Sequence, residues 1–321
     1  MRNLKRALSL ALAAIMLIGM MVVSASAVSY NDLTDKDQIV NKDAVSMLVS
    51  LGIIEGKPDG SYGPTENVDR AQMAKMLSVI MNKGVDNSAL YQSVNSGLVD
   101  VNTNWAKGHI NYCYTTGIIA GRGNGKFDPS ATVTALEAAK MLLVAVGYDP
   151  AIEGFEGADW AINVSVRADE QGIFEGFTKD LSAPLNRDDA ALLIYNALDV
   201  EMIQSYTTNN YPIVYSDHRT ILSDKYGVIK VEGVVTANEW AILDDDTDTA
   251  LQEGKTRIYN PDGILSTTGN TAVAQDSSAN VKTQVFNVST PVDMLGKAVT
   301  MYVKKTTILA DSTCLLYTSD A

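Results

Sequence analysis

Arg70 and Arg187 each stand directly after a capping residue at the start of an apolar helical stripe, Asp69-Arg70-Ala71-Gln72 and Asn186-Arg187-Asp188-Asp189. A cation there opposes the helix macrodipole, so a plain surface role is disfavoured. Lys57 and Arg122 follow Gly56 and Gly121 at equivalent places in two glycine-rich loops, where Phe177 follows Gly176 in a third. The chain carries 25 Lys and Arg against 38 Asp and Glu, a net charge of -13. That balance argues against nucleic acid and anionic lipid as nonspecific partners. An acidic ligand could be held only at such local basic spots. Lys57 and Arg122 read equally as solvated loop charge.

Bond-breaking chemistry finds little support. His109 and His218 are the only histidines, and no Ser-His-Asp, Cys-His or paired-carboxylate arrangement can be picked out without arbitrary choice. Gly121-x-Gly123-x-Gly125-Lys126 suggests a phosphate loop. Ala120 and Phe127 occupy the positions that need Gly and Ser or Thr, so a turn is the better reading. Asp244, Asp246 and Asp248 have calcium-loop spacing, but Thr249 and Lys255 replace the required Gly and Glu. No metal or cofactor is expected, and the residues present are not expected to form an enzyme. Cys113, at a helical core position, leaves no disulfide framework.

The elements that carry these residues recur. Gly52-Ile53-Ile54-Glu55-Gly56, Gly117-Ile118-Ile119-Ala120-Gly121 and Gly172-Ile173-Phe174-Glu175-Gly176 each precede a loop with Pro64, Pro129 or Pro184 and then a capped helix. The second copy is displaced by 65 residues from the first without a gap; the third lies 55 on, then 52 after a three-residue deletion. Such periodicity marks supersecondary units that bury one shared core. Each copy reads as helix, glycine-rich loop, helix. Asn104 and Asp159 cap first helices beginning Trp105-Ala106 and Trp160-Ala161, and Val40-Asn41 take that place in the first copy. Gly52, Gly117 and Gly172 are expected in the left-handed conformation that ends a helix. Asp69-x-x-Gln72 and Thr134-x-x-Glu137 are capping boxes, with Asn186-x-x-Asp189 a weaker version. Stripes such as Met73, Met76, Leu77 and Ile80 follow in register. Trp105 and Trp160 read first as core, with sugar stacking as the second reading.

Beyond Val200 the texture becomes β-rich: Tyr226 to Thr236, punctuated by Gly227 and Gly233, then Lys255 to Tyr259 and Ala298 to Lys304. A small all-β domain, barrel or sandwich, is expected, with Thr267 to Lys282 as a loop excursion.

Leu98-Val99-Asp100-Val101, Trp105-Ala106, Gly117-Ile118-Ile119-x-Gly121, Gly125-Lys126-Phe127-x-Pro129 and Val133-Thr134-x-x-Glu137 resemble an S-layer homology (SLH) domain, which the other two copies match less fully. The resemblance covers about Ser29 to Val200. It implies a mainly α pseudo-threefold bundle of three helix-loop-helix repeats whose grooves bind pyruvylated secondary cell-wall polysaccharide. The family's Thr-Arg-Ala-Glu motif maps onto the two arginine-bearing helix starts, where Arg70 and Arg187 would pair with a pyruvate carboxylate. The middle copy reads Thr134-Ala135-Leu136-Glu137, so its groove is expected to be deficient. Gly56, Gly121 and Gly176, Lys57, Arg122, Trp105 and Trp160 complete the candidate polysaccharide-binding set.

The ends are read as processing and sequencing features. Arg2, Lys5 and Arg6, the apolar run Ala7 to Val23 and the box Ala25-Ser26-Ala27 form a secretory leader. Cys314 to Ala321 resembles one translated frame of a transposon-end sequencing adapter, which implies a gene cut near Thr313. The expected layout is a signal peptide over 1–27, repeats over 28–90, 91–148 and 149–202, a truncated β domain over 203–313, and an artefact over 314–321. The resulting expectation is a secreted protein anchored non-covalently in the cell wall or S-layer. Its partners would be secondary cell-wall polysaccharide and other surface-layer subunits, with no membrane contact after cleavage. The alternatives are an anchored cell-surface hydrolase whose catalytic domain lies outside this chain, and a carbohydrate-binding β domain.

Overall fold

The computed structural model describes residues 29–243, 250–261 and 282–304, and the backbone of 313–319. The leader, the Asp244 to Asp248 loop and nearly all of the Thr267 to Lys282 excursion lie outside the described residues.

Among the described residues, six α-helices form the first part: α1 (Lys42–Ser50), α2 (Arg70–Met81), α3 (Lys107–Thr115), α4 (Ala135–Val146), α5 (Trp160–Glu170) and α6 (Arg187–Leu198). The starts of α2 and α4 are reciprocal capping boxes. At α6 the Asn186 side chain accepts from Asp189 N, without a return bond. This matches the expected ranking, and the Asp189 carboxylate is engaged by Lys179 instead. Gly52, Gly117 and Gly172 follow α1, α3 and α5 at φ +69°, +79° and +69°. The next residue then donates back across the helix end, as Ile118 N does to Cys113 O at 2.9 Å. Helix α3 begins at Lys107, later than Trp105, because Asn104 Oδ1 accepts from Ala106 N and holds a turn first.

The helices are joined by a ring of backbone hydrogen bonds. Val68 N donates to Leu185 O at 2.8 Å, Leu185 N to Val133 O at 2.8 Å, and Val133 N to Val68 O at 2.9 Å. All three side chains are buried. Each donor precedes the capped helix of a different sequence copy, so the three helix starts converge on one point. The packing is equally crossed: α2 lies on α3, α4 on α5, and α6 on α1. Thus the second helix of each copy packs on the first helix of the next. The Asp188 carboxylate closes the circuit by accepting from Val40 N, Asn41 N and Asn41 Nδ2 at 3.1 to 3.3 Å, at the start of α1.

A hairpin, β1 (Ile203–Tyr206) with β2 (Pro212–Val214), and a short helix α7 (Ile221–Tyr226) follow. The curled sheet comprises β3 (Val228–Asn238), β4 (Lys255–Tyr259), β5 (Thr283–Asn287), β6 (Ala298–Lys304) and β7 (Thr313–Ser319), in the order β3-β4-β5-β7-β6. Its circuit closes through one pair, Asn287 with Thr313. The barrel alternative is therefore the closer of the two expected β architectures. Two local expectations change. Tyr226 ends α7, and Gly227 is that helix's left-handed cap, not a strand bend. Gly233 does lie inside a strand, where a Cβ would come within 2.6 Å of Tyr259 O and Ile258 Cγ2. Thr313–Ser319 pairs along β6 as the last strand. Its tyrosine and threonines suit a strand.

One hydrophobic core runs through the helices and includes Ile203, Ile221, Leu222, Val228 and Tyr302; a second, with Ile229, Val235, Ile258, Phe286 and Met301, fills the sheet. Where they meet, Tyr195 and Tyr302 hydroxyls lie 2.6 Å apart and Lys230 Nζ lies 3.6 Å from Asp199 Oδ2. Burial pushes Asp199 up to about 6 from 3.8, against the pull of Lys230.

Leu185→Ala removes a fully packed side chain at the ring and should cost about 2–5 kcal/mol. Helical circular dichroism and the fluorescence of Trp105 and Trp160 should still fall in one coincident denaturant transition; separate midpoints would contradict ring closure. The raised Asp199 makes a second expectation. Between about pH 4 and 6 the folded chain keeps a proton that the unfolded chain releases. This contribution is therefore full below about pH 4 and is lost as pH rises through about 6. Asp199→Asn should raise unfolding free energy by about 1–3 kcal/mol at pH 7.5 and little at pH 4. An equal gain at both values would refute the assignment.

Candidate functional site

A groove of about 410 Å³ opens beside Gly121. Arg70 enters it from the start of α2, 4 % exposed, with Nε donating to Phe127 O and one terminal nitrogen donating to Ala120 O, both at 2.8 Å. Its guanidinium carbon lies 4.3 Å from the centre of the Phe127 ring. Burial, with the nearby Arg122, lowers its pKa to about 10, which leaves it charged at neutral pH. Those contacts use two of its five donors. Arg122 pairs with Glu137 at 2.7 Å, and Glu137 also accepts from Thr134 N. Lys140 donates to Phe155 O at 2.5 Å and sits 5.7 Å from the centre of the Trp160 ring. Burial lowers the Lys140 pKa.

A second groove, about 200 Å³, is built to the same plan beside Gly56. Arg187 Nε donates to Tyr62 O at 2.8 Å and its guanidinium carbon lies 4.8 Å from the Tyr62 ring centre. Tyr62 Oη donates to Arg187 O at 2.7 Å. Lys57 pairs with Glu66, and Lys75 with Glu55 at 3.3 Å. Trp105 lines the rim and is 58 % exposed. The core reading of Trp105 is therefore replaced by an exposed indole on a groove, whereas Trp160 is half-buried.

Each groove thus draws its arginine from one sequence copy, its glycine-basic loop from the next and its tryptophan from the one after. Sequence reasoning gave each copy its own groove, since neighbours in the chain were the only neighbours visible. It also missed Lys75 and Lys140. The signal was present, because these two lysines are themselves 65 residues apart on matching helix faces.

The same rule relocates the deficiency. Ala135 lies at the start of α4, where Leu136 N donates to Leu181 O in the third copy's loop. The missing arginine therefore belongs beside Gly176, and the second copy's Gly121 groove has Arg70. In that third position Phe177 replaces the loop cation, Leu192 the helix lysine, Ser182 the stacked aromatic and Val40 the tryptophan. Gly176 lines a different cleft, shared with the sheet.

The fold also assembles one arrangement that the sequence did not single out. Ser78 Oγ lies 2.6 Å from His109 Nδ1, and His109 Nε2 lies 3.6 Å from Asp86 Oδ2. It lacks a nucleophile's geometry. Ser78 Oγ donates to Lys75 O at 2.9 Å, so its proton is already used and it accepts from the imidazole. Both Ser78 and His109 are 4 % exposed, and burial lowers the histidine pKa against the effect of Asp86. The trio is a polar strut between α2 and α3. Among the described residues, no group of three or more His, Cys, Asp or Glu is placed to hold a metal.

Arg70→Ala strands two carbonyl oxygens in a buried site and should cost about 2–4 kcal/mol of stability. Arg187→Ala removes one bond at a half-buried site and should cost under about 1.5 kcal/mol. Chemical denaturation of the two variants checks this, and equal losses would contradict the geometry.

The S-layer homology domain model matches residues 29–74 and 99–139. A "Cell surface protein" of Thermoanaerobacter kivui is 30% identical over 273 residues, covering 83% of this chain and 32% of that protein. An "S-layer protein" of Bacillus licheniformis is 33% identical over 113 residues, 35% of this chain and 12% of that protein. "Exoglucanase XynX" of Acetivibrio thermocellus is 29% identical over 192 residues, 55% of this chain and 17% of the enzyme. The chain spans about a third or less of the length of these relatives. The matched segments contain the Gly56 and Gly121 loops, Arg70 and Trp105, whereas Arg187, Lys75, Lys140 and Trp160 lie outside them. The chain is an S-layer homology domain-containing protein of the cell surface.

Proposed function

We propose that the three sequence copies act as one pseudo-threefold SLH bundle that anchors an exported protein to the bacterial cell wall. Its two arginine grooves would hold carboxylates of a pyruvylated secondary cell-wall polysaccharide. The observation that carries this reading is local charge on an acidic chain. Arg70, Arg122 and Lys140 gather in one groove and Arg187, Lys57 and Lys75 in the other, each beside a tryptophan. Phe127 and Tyr62 hold the guanidinium planes by stacking, and backbone carbonyls fix their Nε edges. The opposite edge of each guanidinium is the natural partner for a carboxylate, and the tryptophan offers an apolar face to a sugar ring. The position beside Gly176 lacks every one of these groups, so two of three grooves carry the binding. The β region serves as spacer or as a contact to other surface-layer subunits.

A second reading has support in the relatives: the Acetivibrio protein is named an exoglucanase and a Thermoanaerobacterium thermosulfurigenes relative an "Amylopullulanase". In that reading the same bundle anchors an enzyme whose catalytic domain lies outside the chain.

Titration of the intact chain with purified wall polysaccharide tests the proposal. Arg187→Ala and Lys140→Ala should each weaken binding by roughly 10- to 100-fold, as expected for charge-assisted contacts. Arg187→Lys should recover only part, because an ammonium cannot reproduce the planar fork. Ala135→Arg should bring no gain, since Ser182 and Leu192 supply neither stacking nor charge there. Chemical removal of pyruvate should mimic the Arg187→Ala, Lys140→Ala double variant. Unchanged affinity in the folded double variant would sink the reading.

A further inference from the structure

Between α6 and the sheet lies a cleft of about 450 Å³ that the two arginine grooves do not use. Its chemistry differs from theirs. Tyr195 and Tyr302 present a hydroxyl pair 2.6 Å apart. One hydroxyl donates to the other, which leaves the second with a proton to give. The Asp199 side chain is 25 % exposed, its Oδ2 3.6 Å from Lys230 while Oδ1 is buried without a partner. Asn196 spends its amide protons on Ile173 O and Glu175 O, so its carbonyl oxygen remains an acceptor. Lys230 is also engaged by Glu232 at 3.1 Å. Leu192 supplies an apolar wall.

This donor and acceptor set excludes most ligand classes. Asp199 and Glu175 line the cleft against a lysine that is already paired, so an anion is disfavoured. The wall is too polar for a lipid chain or an apolar peptide side chain. Mixed hydroxyls, a carboxylate and an amide around an aromatic and aliphatic face suit a neutral, hydroxyl-rich sugar whose O–H groups donate to Asp199 Oδ2.

We infer that this junction cleft is a subsite for an uncharged sugar unit. It rests on the reading of the chain as a glycan binder, and it gives the Gly176 position a role that its lost arginine denies it. The polymer would then be held by its acidic groups in two grooves and by neutral sugar at the junction, which ties the sheet's placement to the anchor.

Ligand-observed NMR and calorimetry on the intact chain, with cellobiose, chitobiose and glucuronic acid as probes, test this. Saturable binding of at least one neutral disaccharide is expected, about tenfold tighter than glucuronic acid. It should fall about tenfold or more in Asp199→Asn and in Leu192→Trp, the latter filling the cleft. Arg187→Ala and Lys140→Ala should leave it unchanged. Unfolding curves establish that each variant is folded. The inference is overturned if neither disaccharide saturates the wild type, if folded Leu192→Trp binds as wild type does, or if the groove variants abolish binding. Failure of wild type to bind wall polysaccharide while the disaccharide still binds would count against the anchoring reading alone.

Discussion

Three backbone hydrogen bonds, from Val68, Leu185 and Val133 in a closed circuit, set the positions of the helix starts on which the candidate site depends. Each bond needs a partner from a different sequence copy, so no copy can satisfy its own loop alone. Buried amide groups that lose such partners carry a substantial desolvation cost. The circuit is therefore cooperative. It also brings the caps Asp69, Thr134 and Asn186 close together, with their helices diverging outward to meet the next copy's first helix. A short helical pair with one apolar stripe cannot bury that stripe by itself, and the crossed packing of α2 on α3, α4 on α5 and α6 on α1 is how this chain does so.

The grooves are a consequence of that crossing. Where a second helix of one copy passes the glycine loop of the next, its first residue is trapped beneath the loop. Arg70 and Arg187 fill this place with a guanidinium that stacks on an aromatic ring and satisfies loop carbonyls. The arginines thus serve the fold and the site together. Burial weakens Arg70 as an acid-base group only modestly, to about 10, so the fold keeps a positive charge within an acidic molecule. Where Ala135 takes the arginine's place, the stacked aromatic, the lysine and the tryptophan are replaced as well. These losses are drawn from all three sequence copies.

The curled sheet rests against the helical part through Tyr302, Val228 and Lys230. The junction costs something. Asp199 lies at the C-terminal end of α6, where a negative charge opposes the helix dipole, and one of its oxygens finds no partner. Burial of such a group is a local conflict in an otherwise well-satisfied core, and conflicts of this kind concentrate at functional positions.

Much of this was legible in the residues themselves. Capping boxes, left-handed glycines and the 65-residue spacing marked the helices and loops because they depend on local backbone chemistry, which sequence order preserves. Strands Lys255–Tyr259 and Ala298–Lys304 were readable from β-branched and aromatic runs. Helix α7, the hairpin and β5 were not, being short segments held by tertiary packing. The candidate arginines, loop cations and tryptophans were all visible by type, yet their grouping was not. Sequence alone determined the helices of the repeats, their caps and the acidic balance that makes local cations informative. Only the tertiary structure decided that Arg70 meets Gly121 and Trp160, and that Arg187 meets Gly56 and Trp105. Ring closure joins residues across copies, and a linear pattern carries no record of which copy each helix will pack against.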